Sequence, residues 1–159
     1  MDVIRRLSEP PRLRTLGEDE TRRSTWLELF FDLVFVVAVA QLGQQLSQDV
    51  SAEGLFRFLG FFVPIWWAWM GFTFYANRFD TDDLPYRLLI FVAMLGVAAL
   101  ATTLPDAFAG ATRAFVLSYV FVRLVLLVLY ARAIRHVDEG RAIAVFYFGA
   151  FSAAVLVWL

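Results

Sequence analysis

From Thr25 onward the chain alternates long apolar runs with short polar breaks. The runs cover about 25–46, 55–76, 84–104, 111–131 and 141–159. Each is close to the ~20 residues a helix needs to cross the hydrocarbon core of a bilayer. Inside each run the apolar residues are continuous rather than alternating, which argues against the strands of a membrane barrel. Helices are the other structure that satisfies its own backbone in lipid. The expected fold class is therefore all-α: a polytopic transmembrane helical bundle of five spans. Short connections predict that consecutive spans run antiparallel, as hairpins.

Residues 1–24 break the pattern. They are polar, carry Arg5, Arg6, Arg12, Arg14, Arg22 and Arg23, and include Pro10-Pro11. They read as a cytoplasmic Arg-rich tail ahead of a transmembrane domain over 25–159. Thr21-Arg22-Arg23 before an apolar run has the form of a twin-arginine export signal. That reading is rejected, because the run holds two acids and further spans follow it. The last run reaches Leu159 with no polar flank. The sequence is therefore expected to be the N-terminal part of a longer protein. Its expected partners are the lipid bilayer, missing C-terminal helices and a second copy of itself.

Charge sets the orientation. All 14 basic residues are Arg. With the N-terminus inside, eleven of them fall on the cytoplasmic side, in the tail and at Arg78, Arg87, Arg132, Arg135 and Arg141. Only Arg57 and Arg113 fall at the outer ends, and Arg123 lies within the fourth run. The positive-inside rule then places the N-terminus in the cytoplasm and the protein, as a multi-pass chain, in the inner (plasma) membrane.

Composition narrows the chemistry. The chain is 60% hydrophobic, with mean hydropathy +0.66 and net charge −1. The apolar excess exceeds that of a soluble domain, and nothing suggests a nucleic-acid partner. There is no Cys, hence no disulfide, thiolate metal site or Cys nucleophile. One His, His136, excludes a His-based triad or a multi-His zinc site within this chain. No metal, no cofactor and no enzymatic activity are expected.

Glu28 and Asp32 are the first candidates for function. They stand four residues apart and share a helix face. Thr25-Trp26-Leu27-Glu28 fits a capping box, so Glu28 has a structural reading at the positive end of the helix dipole. Asp32 lies too deep to cap. It is either a buried structural partner or an ion or proton site. Arg123 sits at similar depth, about 12 Å from the cytoplasmic end of its run. It is the expected partner of Asp32, because an unpaired Arg at that depth costs about 2.5–3.5 kcal/mol. Tyr119 and Tyr130 lie on the Arg123 face and extend the network.

The second candidate is the cytoplasmic loop Asn77-Arg78-Phe79-Asp80-Thr81-Asp82-Asp83, with Arg87 after it. Asp80, Asp82 and Asp83 offer oxygen ligands, but without the spacing of an EF-hand loop. The plainer reading is a turn in which Asp82 or Asp83 caps the helix containing Pro85. Trp66, Trp67 and Trp69 read as packing and lipid-facing bulk, and Pro64 as a bend that frees a carbonyl. Ala98, Ala101, Thr102, Gly149 and Ala153 have the spacing of helix-packing faces.

These segments resemble a known family. Glu28-Leu29-Phe30-Phe31-Asp32-Leu33-Val34-Phe35-Val36 with Gln41-Leu42 resembles the opening helix of the bacterial low temperature requirement A family. The stretch Asn77 to Asp83, Arg87 and Met94-Leu95-Gly96 resemble its next motif. Pro105-Asp106-Ala107-Phe108 and Tyr119 match a third. The likeness runs in order from about residue 25 to 135. It implies a polytopic membrane protein of about twice this length or more, and brings no catalytic residues. Phe31-Asp32 before Val34-Phe35 is also similar to the start of the endolysosomal potassium channel family and its bacterial relatives. Phe30 and Leu33 depart from that pattern, and the likeness covers one helix.

Two functions follow. One is an ion or small-solute transporter or channel, with Asp32 in a polar intramembrane site. The alternative is a non-transporting membrane protein that supports envelope or stress adaptation, with Asp32–Arg123 as a structural salt bridge. The surroundings of Asp32 discriminate between them: polar neighbours and water access favour the first, a closed carboxylate–guanidinium contact the second.

Overall fold

A computed structural model describes residues 12–13, 26–80, 83–137 and 141–158. Five helices follow one another: α1 (Trp26–Gln48), α2 (Ala52–Arg78), α3 (Leu84–Phe108), α4 (Arg113–His136) and α5 (Arg141–Trp158). Two short strands, β1 (Arg12–Leu13) and β2 (Phe79–Asp80), pair antiparallel, with Arg12 opposite Asp80 and Leu13 opposite Phe79. Among the described residues α1 to α4 are each long and apolar enough to cross a membrane. The bounds expected for the five apolar runs match these five helices to within a few residues. Of the N-terminal tail, only the backbone of Arg12–Leu13 falls within the described residues.

The helix ends are set by local chemistry. Ser51 caps α2, its hydroxyl accepting from the Gly54 amide at 3.0 Å. A side chain on Gly54 would strike the Asp49 carbonyl, so this tight α1–α2 turn requires glycine. Asp83 caps α3, its carboxylate accepting from the Tyr86 amide at 3.2 Å, with Pro85 in the first turn. Gly110, at φ +100°, closes the turn between α3 and α4.

The packing order differs from a chain of hairpins. α1 packs on α2 and α3, α4 packs on α3 and α2, and α5 packs on α4. The first four helices thus form a ring in the order α1, α2, α4, α3. The consecutive pair α2 and α3 stands across a diagonal and makes few contacts. The hairpin expectation fails for this pair, because α1 and α4 each pack against both helices and hold them apart.

α3 and α4 carry most of the core. Ala93, Val97, Leu100, Ala101 and Leu104 on α3 and Phe115, Val122, Leu126 and Leu129 on α4 are buried, and the two helices pack on each other. At Gly96 the two helices pack tightly: a Cβ there would come within 2.8 Å of Phe121 and 2.9 Å of Val122. Ala101 belongs to this face, as expected, whereas Ala98 and Thr102 point outward. Gly149 is also exposed, and the Ala153 side chain lies outside the described residues. Leu29, Phe30, Leu33, Val36 and Val37 on α1 and Trp66 and Trp67 on α2 are exposed, an apolar belt suited to lipid rather than water.

Aromatic rings fill the centre of one end of the ring. Tyr75 stacks on Tyr86 at 6.0 Å and meets Tyr130 edge-on at 5.3 Å, with Phe79 beside it at 5.0 Å. Tyr130 donates to the Gly71 carbonyl at 3.4 Å, pinning α4 to α2.

Candidate functional site

The diagonal between α2 and α3 leaves space beneath α1. A cleft of about 170 Å³ opens there, lined by Glu28, Phe31 and Asp32 of α1, Thr73 and Asn77 of α2, and Tyr86 of α3 among others. Among the described residues, two carboxylates, an amide and two hydroxyl-bearing side chains line this opening. The i, i+4 spacing of Glu28 and Asp32 puts both on the same wall, as the sequence predicts. Asn77, from the loop motif, joins them.

Asp32 is held by a residue that sequence reasoning treated as bulk. The Trp69 indole Nε1–H donates to the Asp32 carboxylate at 2.8 Å. That bond fixes one oxygen, and a carboxylate retains further acceptor capacity. Trp66 and Trp69, at i and i+3, share a face of α2. They line a second cavity of about 340 Å³ with Phe35, Val36, Val39, Phe62 and Ile65. Asp32 lines both cavities.

The expected Asp32–Arg123 pair does not form. Arg123 is fully buried in α4; its Nε–H donates to the Tyr119 hydroxyl at 3.0 Å and its Nη1 to the Trp67 carbonyl at 3.4 Å. Its guanidinium also lies 5.4 Å from the Tyr119 ring centre, within cation–π range. The reason is the ring order: α1 and α4 occupy the other diagonal. Equal depth is therefore not contact. Tyr119 does join Arg123 as expected, but Tyr130 turns to Gly71 instead. Arg123 and Tyr119 stand apart from the acidic cleft and serve the α2–α4 interface.

At the end of the bundle that holds the aromatic cluster, Asp83 is the anchor. It is 2% exposed and receives Arg132 of α4 in a two-pronged salt bridge, with Nη1 to Oδ1 at 3.0 Å and Nη2 to Oδ2. The same carboxylate caps α3. The capping reading of Asp83 thus holds, and Arg132 is the residue missed. Both were assigned to the cytoplasmic side by the alternation of spans, which is the signal that pairs them. Arg78 and Arg87 are exposed at the neighbouring ends of α2 and α3. Asp82 and the side chain of Asp80 lie outside the described residues. No group of three or more His, Cys, Asp or Glu suited to a metal ion occurs among the described residues.

Comparison with known proteins now adds identity. The profile of the bacterial low temperature requirement A protein (LtrA) matches residues 23–159. The chain belongs to the LtrA family. Together with the membrane-length apolar helices, membership marks it as a multi-pass membrane protein. It is 39% identical over 107 residues to a protein of Rhizobium meliloti (strain 1021) described as uncharacterized. That match covers 67% of this chain and 26% of the relative, so the chain spans well under half of the relative it matches. No solved structure matches the chain.

Proposed function

We propose that this LtrA-family chain forms the cation-binding part of a transporter or channel in the inner membrane. Five helices span the bilayer in this reading, with the N-terminus in the cytoplasm, as the Arg distribution favours. The observation that carries it is the cleft among α1, α2 and α3. Asp32 lines it together with Glu28, Thr73 and Asn77, and its carboxylate accepts from the Trp69 indole N–H. A carboxylate at membrane depth is costly unless it faces protein or water, and a polar opening lined by two acids is a place where a cation replaces that hydration.

The non-transporting alternative rested on an Asp32–Arg123 bridge, and Arg123 is engaged by Tyr119 and Trp67 instead. The reading is tested by blocking the cleft. The chain has no Cys, so Ala76→Cys places a single thiol on the cleft wall. A membrane-impermeant thiol reagent should abolish monovalent-cation flux in proteoliposomes carrying Ala76→Cys. It should leave flux unchanged with Gly43→Cys, a position with open space around it on the far part of α1. Equal sensitivity or equal indifference of the two variants rejects the assignment.

A further inference from the structure

The connection from α2 to α3 is held at three places. The Phe79 amide closes α2 on the Tyr75 carbonyl, and the chain then leaves in extended backbone as β2. The Phe79 ring is 2% exposed and packs 5.0 Å from Tyr75 and 6.3 Å from Tyr130. At the far end of the connection, Asp83 is bound to Arg132 of α4. Between these two anchors the backbone of β2 pairs with β1, from the polar segment that precedes α1. Residues on both sides of the connection line the cleft: Ala76 and Asn77 just before β2, and Tyr86 just after Asp83. α2 and α3 make few contacts with each other. The connection is therefore the covalent tie that limits their separation at this end, and β1 is one of the things that holds it.

We propose that β1 is a removable strap: by pairing with Phe79–Asp80 it restrains the cleft from opening between Ala76–Asn77 and Tyr86. The occupant of the β2 edge is thus a segment of this chain. The inference concerns access to the cleft and holds whatever the cleft carries, so it goes beyond the transport reading. The three restraints differ in what their release costs. Phe79 and Asp83 are buried side chains, and freeing either one disrupts the aromatic cluster or a salt bridge. β1 is joined to β2 through backbone pairing over two residues. Two strands alone are marginal in water, so this pairing can open while the bundle stays folded. It also has a reason to form. The end of a helix leaves backbone groups that need partners, and an unpaired strand edge is open to any other strand. The register, Arg12 opposite Asp80 and Leu13 opposite Phe79, places the strap directly on the connection rather than elsewhere on the bundle. With β1 released, the Phe79 ring and the Asp83–Arg132 bridge hold the connection, and the cleft wall at Ala76 and Asn77 gains freedom relative to Tyr86.

The test uses the full chain in nanodiscs, where both faces of the bilayer are open to reagent. The chain has no Cys, so Ala76→Cys reports on the cleft wall alone. Its rate of modification by a water-soluble maleimide is the readout, and no flux is needed. Arg12→Pro/Leu13→Pro removes both amide donors of β1 and should speed labelling at position 76 at least threefold. Arg12→Ala/Leu13→Ala keeps the backbone and should leave the rate unchanged. Gly43→Cys, with open space around it, should label at one rate in all three backgrounds. An unchanged rate with the Pro pair overturns the proposal. So does an equal rise with the Ala pair, which would assign the effect to side chains, or an equal rise at Gly43→Cys, which would assign it to general loosening. A second measurement serves if the Pro pair fails to fold. Directly opposed residues in an antiparallel pair lie about 4.5–5.5 Å apart at Cα, within disulfide range. Arg12→Cys/Asp80→Cys should therefore cross-link on mild oxidation. With Ala76→Cys added, the oxidised chain should label at position 76, read by mass spectrometry of that peptide, at least threefold more slowly than the reduced chain. Failure to cross-link, or equal rates before and after reduction, overturns the strap. The transport reading is tested by flux and does not depend on either result.

Discussion

Replacing Asp83 should be the most damaging single change at the end of the bundle that holds the aromatic cluster. Its carboxylate is 2% exposed and serves two purposes, accepting the Tyr86 amide at the start of α3 and both terminal nitrogens of Arg132. Loss of an N-cap costs about 1 kcal/mol. Breaking a buried ion pair by removing one partner costs about 3–5 kcal/mol. The Arg132 side chain keeps 18% exposure, which places this pair near the lower figure. Asp83→Ala should therefore destabilise by about 4 kcal/mol. Asp83→Asn keeps an acceptor for the cap and loses the charge, so about 3 kcal/mol is expected. Arg132→Ala should cost about 2–3 kcal/mol, since the stranded carboxylate still receives the Tyr86 amide. The double variant Asp83→Ala/Arg132→Ala should fall short of the sum by about 2 kcal/mol, the coupling of groups in direct contact. Denaturant unfolding of the purified chain in detergent, followed by tryptophan fluorescence, measures all four. Costs below about 0.5 kcal/mol for Asp83→Asn and Arg132→Ala, the level of an exposed surface pair, would refute the reasoning. So would simple additivity in the double variant.

Further outcomes are expected from the same assay and from labelling. Asp32→Leu and Arg123→Leu should be additive within about 0.5 kcal/mol, because the two side chains do not meet; a coupling near 2 kcal/mol would restore the pair. Tyr119→Phe removes the hydroxyl that receives the Arg123 Nε–H and should cost about 1.5–3 kcal/mol, the range for a bond to a charged group; no loss of stability would contradict it. Gly96→Leu should abolish folded yield by overpacking the α3–α4 contact, whereas Gly43→Leu, with open space around it, should be tolerated. A single Cys at Ser51 should react with impermeant reagents from outside only, and labelling from the cytoplasmic side would reverse the topology.

The helices were legible because hydropathy and length are local properties. Each apolar run carries its own evidence, and an Asp cap before the Pro85 turn was readable, although the choice of Asp83 over Asp82 came from the structure. The partner choices were not local. Depth along a helix gives one coordinate, and Asp32 and Arg123 agree in it. Facing is the other coordinate, and the ring order α1, α2, α4, α3 sets it through packing that no single run encodes. The convergence of Glu28 and Asp32 on one wall followed from their spacing. The contribution of Trp69 did not, although its i, i+3 relation to Trp66 marks a shared face. Arg132 was counted for topology alone. Its match to Asp83 was available from the same topology, since both residues fall at the same ends of antiparallel helices.

The central claim is that Asp32, in the cleft of α1, α2 and α3, is part of a cation path. The most direct measurement is Rb⁺ uptake into proteoliposomes of the wild-type chain and of Asp32→Asn. Matched folded amounts are confirmed by the unfolding assay. Asn is close in volume and can still accept the Trp69 indole N–H, so the comparison isolates the charge. The account predicts uptake above empty vesicles for the wild type and a loss of at least tenfold for Asp32→Asn. Equal uptake by both proteins, or no uptake above empty vesicles by a folded wild type, would contradict it.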